Sequence, residues 1–266
     1  MTGHIADVRG LVKVFPGQRA PAVDGVSFTI AAGETLGLVG ESGSGKTTVG
    51  KCLLRLAEPT SGEIRLCGVD VRTARGGELQ ALRRRAQMIY QDPAESLTPW
   101  MTVGALVREG IEVHGIAEGA AADARVRSLL DEVGLRGTDM ARYPEELSGG
   151  QRQRVCIARA LAVEPSVLVC DEAVSALDVS IQAQILNLLV DLQRERQLTY
   201  LFISHNLAVV ERVATRVAVM QRGRIVEDGL ARAVFASPDH EYTRALVAAV
   251  PRLDVSYRFG VFRGIQ

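Results

Sequence analysis

The sequence predicts an α/β fold: short buried strands alternating with helices, preceded by a strand-rich, partly antiparallel portion and interrupted by an inserted helical segment. Three observations predict it. The stretch Gly40-Glu41-Ser42-Gly43-Ser44-Gly45-Lys46-Thr47-Thr48 matches the phosphate-binding pattern G-x-x-x-x-G-K-[ST] in full. It follows Thr35-Leu36-Gly37-Leu38-Val39, which reads as a buried strand, and precedes Val49, Cys52, Leu53 and Leu56, spaced i, i+3, i+4, i+7 as on one helix face. From Ser166 onward apolar strands and amphipathic helices alternate, whereas residues 92–162 carry mostly helical periodicity.

Composition narrows the function classes. A chain of 266 residues can form one full core with a subdomain. Lys+Arg and Asp+Glu number 31 each, which argues against a nucleic-acid binder acting through bulk charge. The four cysteines, Cys52, Cys67, Cys156 and Cys170, form no C-x-x-C pair and fit buried, reduced thiols. The first residues carry no basic-then-apolar signal region, and no run approaches the ~18 apolar residues of a membrane span. A cytoplasmic chain that meets a membrane only through a partner is expected.

Taken in order, Ile5–Val14 alternates loosely and ends at Phe15 before a Pro16-Gly17 turn. Val26–Ile30 alternates in period two, and Ala31–Glu34 turns the chain into the strand before the glycine loop. Beyond the first helix, Pro59–Gly62 is a turn, Glu63–Leu66 a strand, Glu78–Arg85 a short basic helix, and Ala86–Tyr90 a strand that delivers Gln91. Val103, Leu106, Val107 and Ile111 make one helical stripe; Val126, Leu129, Leu130 and Val133 make another, broken by Gly134 and Gly137. A helix from Arg152 to about Val163 follows Ser148-Gly149-Gly150. Val167–Cys170 is a strand of the buried, parallel kind, and Ile181, Ile185, Leu188, Leu189 and Leu192 mark the next helix. Leu198–Ile203 is a strand, Asn206–Val213 a helix, and Val217–Met220 with Arg224–Val226 a hairpin. Short helices near 231–235 and 241–250 precede a patternless tail, 255–266.

The chemistry starts at the glycine loop. Gly43 and Gly45 allow positive φ, so that backbone N–H groups can approach phosphate oxygens, and the helix start adds partial positive charge. Lys46 can reach the β- and γ-phosphates, and the Thr47 hydroxyl can ligate Mg²⁺. Cys170-Asp171-Glu172 ends a buried strand, where an open α/β sheet binds ligands. Asp171 is placed to hold Mg²⁺, and Glu172 to polarise an attacking water. Leu147-Ser148-Gly149-Gly150-Gln151 caps the start of a helix and offers a second set of free N–H groups for an anion. Arg152, Arg154 and Arg159 on that helix read as a salt-bridged face.

These motifs together resemble the ATP-binding subunit of an ABC transporter over nearly the whole chain. Gly40–Thr47 is similar to Walker A, Val167–Asp171 to Walker B with the catalytic Glu172 after it, and LSGGQ at 147–151 to the family signature. Gln91 matches the Q-loop glutamine, Ser175-Ala176-Leu177-Asp178 the D-loop, His205 the switch histidine and Phe15 the aromatic that stacks on adenine. The resemblance implies a P-loop NTPase: a RecA-like core (1–91 and 163–254) with an antiparallel β subdomain, plus an inserted α-helical subdomain (92–162), in one domain spanning 1–254. It implies ATP and Mg²⁺ as ligands. Lys46, Gln91, Glu172 and His205 would act in catalysis; Thr47, Gln91 and Asp171 at the metal. Phe15, Gly40, Ser42, Gly43, Ser44, Gly45, Lys46, Thr47, Thr48, Ser148, Gly149, Gly150, Gln151 and Asp178 would contact nucleotide.

Further strings narrow the resemblance to the oligopeptide/dipeptide (peptide/nickel) permease branch: Tyr90-Gln91-Asp92-Pro93, Ser96-Leu97-Thr98-Pro99, LSGGQRQRV, and His240-Glu241-Tyr242-Thr243-Arg244-Ala245-Leu246. The branch implies a head-to-tail ATPase dimer, identical or paralogous, on the cytoplasmic face of the cell membrane. Transmembrane permease subunits and, indirectly, a solute-binding protein would be its partners, with no role for nucleic acid. A soluble ABC assembly such as one for phosphonate degradation is the alternative. Some branch members hold an iron–sulfur cluster on C-terminal cysteines; with no cysteine after Cys170, none is expected here. The chain departs from the branch at Ala173 (usually Pro), Asn206 (usually Asp) and Glu95 (usually small).

Overall fold

Alternation in the first third of the chain produces strands that bury one face each. In the computed structural model, which describes residues 3–249, the elements run β1 (His4–Lys13), β2 (Val23–Ala31), β3 (Thr35–Val39), α1 (Lys46–Leu53), β4 (Ser61–Leu66), β5 (Val69–Asp70), α2 (Gly76–Arg85) and β6 (Ala86–Ile89). A purely helical stretch follows: α3 (Pro93–Ser96), α4 (Val103–Val113), α5 (Gly119–Glu132), two short 3₁₀ turns and α6 (Gly149–Leu161). Strand and helix then alternate as β7 (Val167–Asp171), α7 (Val179–Arg196), β8 (Thr199–Ser204), α8 (Leu207–Val213), β9 (Arg216–Gln221), β10 (Arg224–Leu230), α9 (Ala231–Ala236) and α10 (Glu241–Ala249). The expected tail, and the 250–254 stretch before it, lie outside the described residues.

Two sheets result. One is four-stranded and antiparallel, ordered β2-β1-β4-β5; opposite charges face across it at Asp7↔Arg65 and Arg9↔Glu63. The other is six-stranded, ordered β10-β9-β3-β8-β7-β6, and parallel except for β10. Its central strands are buried along their whole length. Their alternation therefore sorts residues between two apolar clusters instead of between core and solvent. Leu168, Cys170, Tyr200 and Phe202 join the cluster that includes α4–α7, while Val167, Val169, Leu201 and Ile203 join the one shared with α1 and the antiparallel sheet. Leucine, isoleucine and valine at i, i+3, i+4 helical spacing explain the first cluster: Val103, Leu106, Val107 and Ile111 from α4 and Val126, Leu129 and Leu130 from α5 all enter it.

Three sequence expectations shift. Leu56 does not continue the α1 face; it is 48% exposed. The helix stops because Arg55 takes a left-handed φ of 52°, so that Leu56 N–H returns to the Lys51 carbonyl (2.8 Å) and Arg55 N–H to that of Cys52 (3.1 Å). The helix expected from Arg152 begins at Gly149 and ends at Leu161, because the Ser148–Gln151 box caps it earlier. Among the described residues Arg152, Arg154 and Arg159 form none of the expected salt bridges: they donate to the carbonyls of Pro144 (2.7 Å), Val133 (2.5 Å) and Ser96 (2.5 Å), satisfying chain and helix ends.

Gly37 lets α8 lie directly on β3. A Cβ there would sit 2.3 Å from Val210 Cγ1 and 3.1 Å from Ala214 Cβ. Gly37→Ala is expected to lower stability in denaturant titrations by about 1–3 kcal/mol. Gly37→Ala/Val210→Ala should lose less than the two single losses added together. Simple additivity would show that the approach of α8 does not dictate this glycine.

Candidate functional site

Parallel pairing in register brings four strand ends to one edge. Val39 of β3 lies opposite Ser204 of β8, Ile203 of β8 opposite Asp171 of β7, and Cys170 of β7 opposite Ile89 of β6. The glycine loop, His205, Glu172 and Gln91 therefore leave neighbouring strands on the same side.

The loop is shaped by backbone that side chains would obstruct. Gly40, Gly43 and Gly45 have φ of 150°, 77° and 103°. A Cβ on Gly40 would meet the Met220 carbonyl at 2.1 Å, and one on Gly45 the Ala22 carbonyl at 2.2 Å. Ser42 and Gly43 are exposed, Ser44 is buried, and Thr48 lies half-buried in the first turn of α1. Gly223 N–H donates to the Ser44 carbonyl at 3.0 Å, tying the loop to the β9–β10 turn. Lys46, 5% exposed, places Nζ 2.8 Å from the Gly40 and Glu41 carbonyls and 3.3 Å from Ser44 Oγ. Burial pushes its pKa down, against the upward pull of Glu172, Asp171 and Glu41. The first N–H groups of α1 have no intrahelical acceptors and remain available to an anion.

Thr47 Oγ1 donates to Asp171 Oδ1 at 2.9 Å. Burial raises the Asp171 pKa; the Thr47 hydroxyl opposes this, and Glu172 adds to it. A hydroxyl beside a carboxylate, with the Gln91 side chain lining the same partly buried cavity, is a hard-oxygen donor set that suits Mg²⁺. Thr47, Gln91 and Asp171 line one open cavity of about 600 Å³, with Lys51, Asp92 and Arg159. Glu172 has φ 48°, a left-handed backbone that non-glycine residues rarely adopt. Its N–H donates to the Ile203 carbonyl (2.9 Å), and its own carbonyl accepts from Ser175 N–H and Oγ (3.0 Å each). Both carboxylate oxygens are engaged: Gln91 Nε2 donates to Oε2 at 3.0 Å, and His205 Nδ1 lies 2.9 Å from Oε1.

The remaining expected residues lie elsewhere. Ser148–Gln151 has no hydrogen bond to the glycine loop among the described residues. Ser148, Gly150 and Gln151 line a separate cavity of about 550 Å³ with Arg136, Asp139, Arg154 and Ile181. Gly150 is small because of α7: a Cβ there would lie 2.6 Å from Ile181 Cγ2. Asp178 caps α7, accepting from Ile181 N–H at 3.0 Å and Ser180 Oγ at 2.8 Å. Phe15 is half-buried, with Lys13 Nζ 4.9 Å from its ring centroid, a cation–π contact that covers one face. Asn206 keeps the capping role an Asp would have, accepting from Ala208 and Val209 N–H at 3.1 and 3.4 Å. Sequence reading did not find Tyr242, whose hydroxyl accepts the Glu41 N–H at 3.0 Å. Pairs 201 residues apart leave no local signal.

A glycine cradle on a parallel sheet, a buried lysine and a hydroxyl–carboxylate pair define a nucleoside-triphosphate-binding domain of the P-loop class. The chain belongs to the ABC transporter family, whose profile matches residues 23–175. It is 56% identical over 261 residues to the glutathione import ATP-binding protein GsiA of Salmonella choleraesuis (strain SC-B67), covering 95% of this chain and 42% of that protein. It is 56% identical over 253 residues to the protein of the same name from Escherichia coli (strain K12), covering 92% and 41%. The chain thus spans less than half the length of these relatives. Among solved structures it resembles the dimeric post-hydrolysis state of the ATP-binding cassette MJ0796 bound to ADP and Pi (TM-score 0.76, 27% identity, 85% of this chain and 99% of that one). It also resembles cbiO1 from Clostridium perfringens, part of the ABC transporter complex cbiONQ (TM-score 0.78, 27% identity, 94% and 97%). The chain is accordingly an ABC ATPase domain, with ATP as its nucleotide.

Lys46→Ala is expected to raise the Kd for ADP or ATP at least about tenfold in titration calorimetry, the scale of one charge-assisted contact. Binding at wild-type strength would remove Lys46 from the site.

Proposed function

We propose that this chain hydrolyses ATP to drive import of a small peptide through membrane permease subunits. The observation that carries the ATPase reading is the convergence of Lys46, Thr47, Asp171, Glu172, Gln91 and His205 at one sheet edge. The peptide reading rests on the branch-type strings and on likeness to the glutathione import proteins; glutathione is itself a small peptide. Among the described residues no helix is long and apolar enough to cross a membrane. In this reading permease subunits form the path for solute and the chain works on them from the cytoplasmic face.

The γ-phosphate would enter where Lys46 Nζ now satisfies two loop carbonyls, and Lys46 would turn to it. Thr47 and Asp171, joined by Gln91, would hold Mg²⁺, which offsets phosphate charge. Glu172 is the general base. In the present arrangement Gln91 and His205 occupy its two oxygens, so it is restrained until one releases. Nucleotide would supply His205 with an alternative acceptor, freeing Glu172 Oε1 to take the proton of a water oriented toward the γ-phosphorus. The signature residues Ser148–Gln151 lie apart from the loop of their own chain. A second ATPase subunit, identical or paralogous, would bring its signature helix to this nucleotide and sandwich it; loss of the γ-phosphate after hydrolysis would release the pair. Gln91, where core 1–91 meets the helical subdomain 92–162, would pass that change to the permease.

Glu172→Gln is expected to lower ATP turnover by about 10²–10⁴-fold while ATP still binds. It should also produce an ATP-dependent dimer in size-exclusion chromatography. Wild-type turnover, or a dimer that falls apart in ATP, would remove Glu172 from the role of base. Tagged chain recovered from detergent-solubilised native membranes should carry permease-type subunits, identified by mass spectrometry. Recovery with soluble proteins alone would overturn the transporter reading and leave the ATPase intact.

A further inference from the structure

The C-terminal helix reaches back across the molecule to the phosphate loop. Tyr242, in the first turn of α10, accepts the Glu41 N–H through its hydroxyl at 3.0 Å. That N–H belongs to the same peptide unit as the Gly40 carbonyl, which accepts from Lys46 Nζ at 2.8 Å. A trans peptide is rigid and planar, with its N–H and C=O directed oppositely. Tyr242 and Lys46 therefore grip one peptide plane from its two sides.

The helix that presents Tyr242 is itself anchored. Glu227 of β10 accepts the N–H groups of Asp239 (Oε1, 2.9 Å) and His240 (Oε2, 3.0 Å), ahead of the first turn. Tyr242 and Leu246 pack against the apolar cluster on the sheet, and Arg244 donates to the carbonyls of Pro238 (3.2 Å) and Asp239 (2.7 Å). The second half of the loop is held independently, by Gly223 N–H on the Ser44 carbonyl and by the close approach of Ala22 to Gly45. The first half, at Gly40 and Glu41, takes its outside hydrogen bond from Tyr242.

We propose that Tyr242 is a positioning residue for nucleotide binding: it fixes the Gly40–Glu41 peptide so that the loop keeps its phosphate-accepting shape when Lys46 leaves the Gly40 carbonyl for a phosphate. In the free protein Lys46 holds this peptide as well, so the Tyr242 contact matters most in the bound state, when Lys46 has turned away. Without it, the peptide that Lys46 releases has no partner on either side and the loop must be ordered at the expense of affinity. The inference rests on the nucleotide-binding reading of the site.

The test is Tyr242→Phe in the full chain, which keeps the ring packing and deletes the hydroxyl. The Kd for ADP and the KM for ATP should each rise about fivefold, the scale of one hydrogen bond. The turnover number and the melting temperature of the nucleotide-free protein should not change; a merely structural role would lower the latter and spare the former pair. Wild-type affinity in a folded Tyr242→Phe protein overturns the inference. Failure of the wild-type chain to bind nucleotide at all would instead defeat the reading beneath it. Amide exchange on the wild-type chain tests the contact without any variant: the Glu41 amide should exchange more slowly than those of Ser42 and Gly43, which have no acceptor among the described residues. Equal rates overturn it.

Discussion

Everything at the site depends on one constraint, the unbroken parallel register from β3 through β8 and β7 to β6. Each strand alone ends in an ordinary turn. Side by side, with Val39 at the level of Ser204 and Asp171 at that of Ile203, their ends deliver a glycine loop, a histidine, a carboxylate pair and a glutamine to one edge. The register is enforced by burial on both faces: a slip of one residue would exchange the side chains of two different apolar clusters. The helices that cover those clusters therefore help to hold the site in place, α1 also supplying Lys46 and Thr47 from its first turn, and Gly37 marks how closely α8 lies.

The same packing explains which features were legible in the sequence. The strands, the long helices and the glycine loop could be read because each rests on local periodicity or on backbone freedom at a few glycines. The two-residue strand β5 and the four-residue α3 could not, since neither is long enough to show a period. Leu56 misled because its spacing fits a helix that Arg55, a non-glycine residue in left-handed conformation, has already ended. Arg152, Arg154 and Arg159 misled for another reason. Charge on a helix suggests ion pairs, but carbonyls at the ends of neighbouring elements compete for guanidinium groups, and here Pro144, Val133 and Ser96 have them. Acceptors on the backbone leave no mark on residue type. The Tyr242–Glu41 contact is illegible on the same ground, with distance along the chain added.

Glu172 shows how much local cost the site carries. Its positive φ costs about 1–2 kcal/mol relative to an ordinary conformation. It is retained by the Ile203 carbonyl on its N–H and by Ser175 on its carbonyl. The two neighbouring acids have different partners. Asp171 meets Thr47, and Glu172 meets Gln91 and His205. Adjacent residues of similar chemistry thus have different surroundings, and under the proposed mechanism it is those surroundings that would divide their work.

Charge explains why such a site is built to be completed from outside. Lys46 is buried against the loss of its hydration, and Asp171 is buried with its pKa pushed upward by that burial. Neither forms an ion pair among the described residues: Lys46 Nζ is held by two carbonyls and the Ser44 hydroxyl, and Asp171 by the Thr47 hydroxyl. Under the proposed function, a phosphate with a divalent cation would supply both missing partners together, its negative oxygens to Lys46 and the N–H groups of the loop and the cation to Asp171 and Thr47. Binding either alone would leave one buried charge less well matched than the other. Asn206 fits the same logic from the opposite direction. Next to His205 in sequence, it caps α8 with a neutral oxygen, so the cap is made without adding a further carboxylate beside His205.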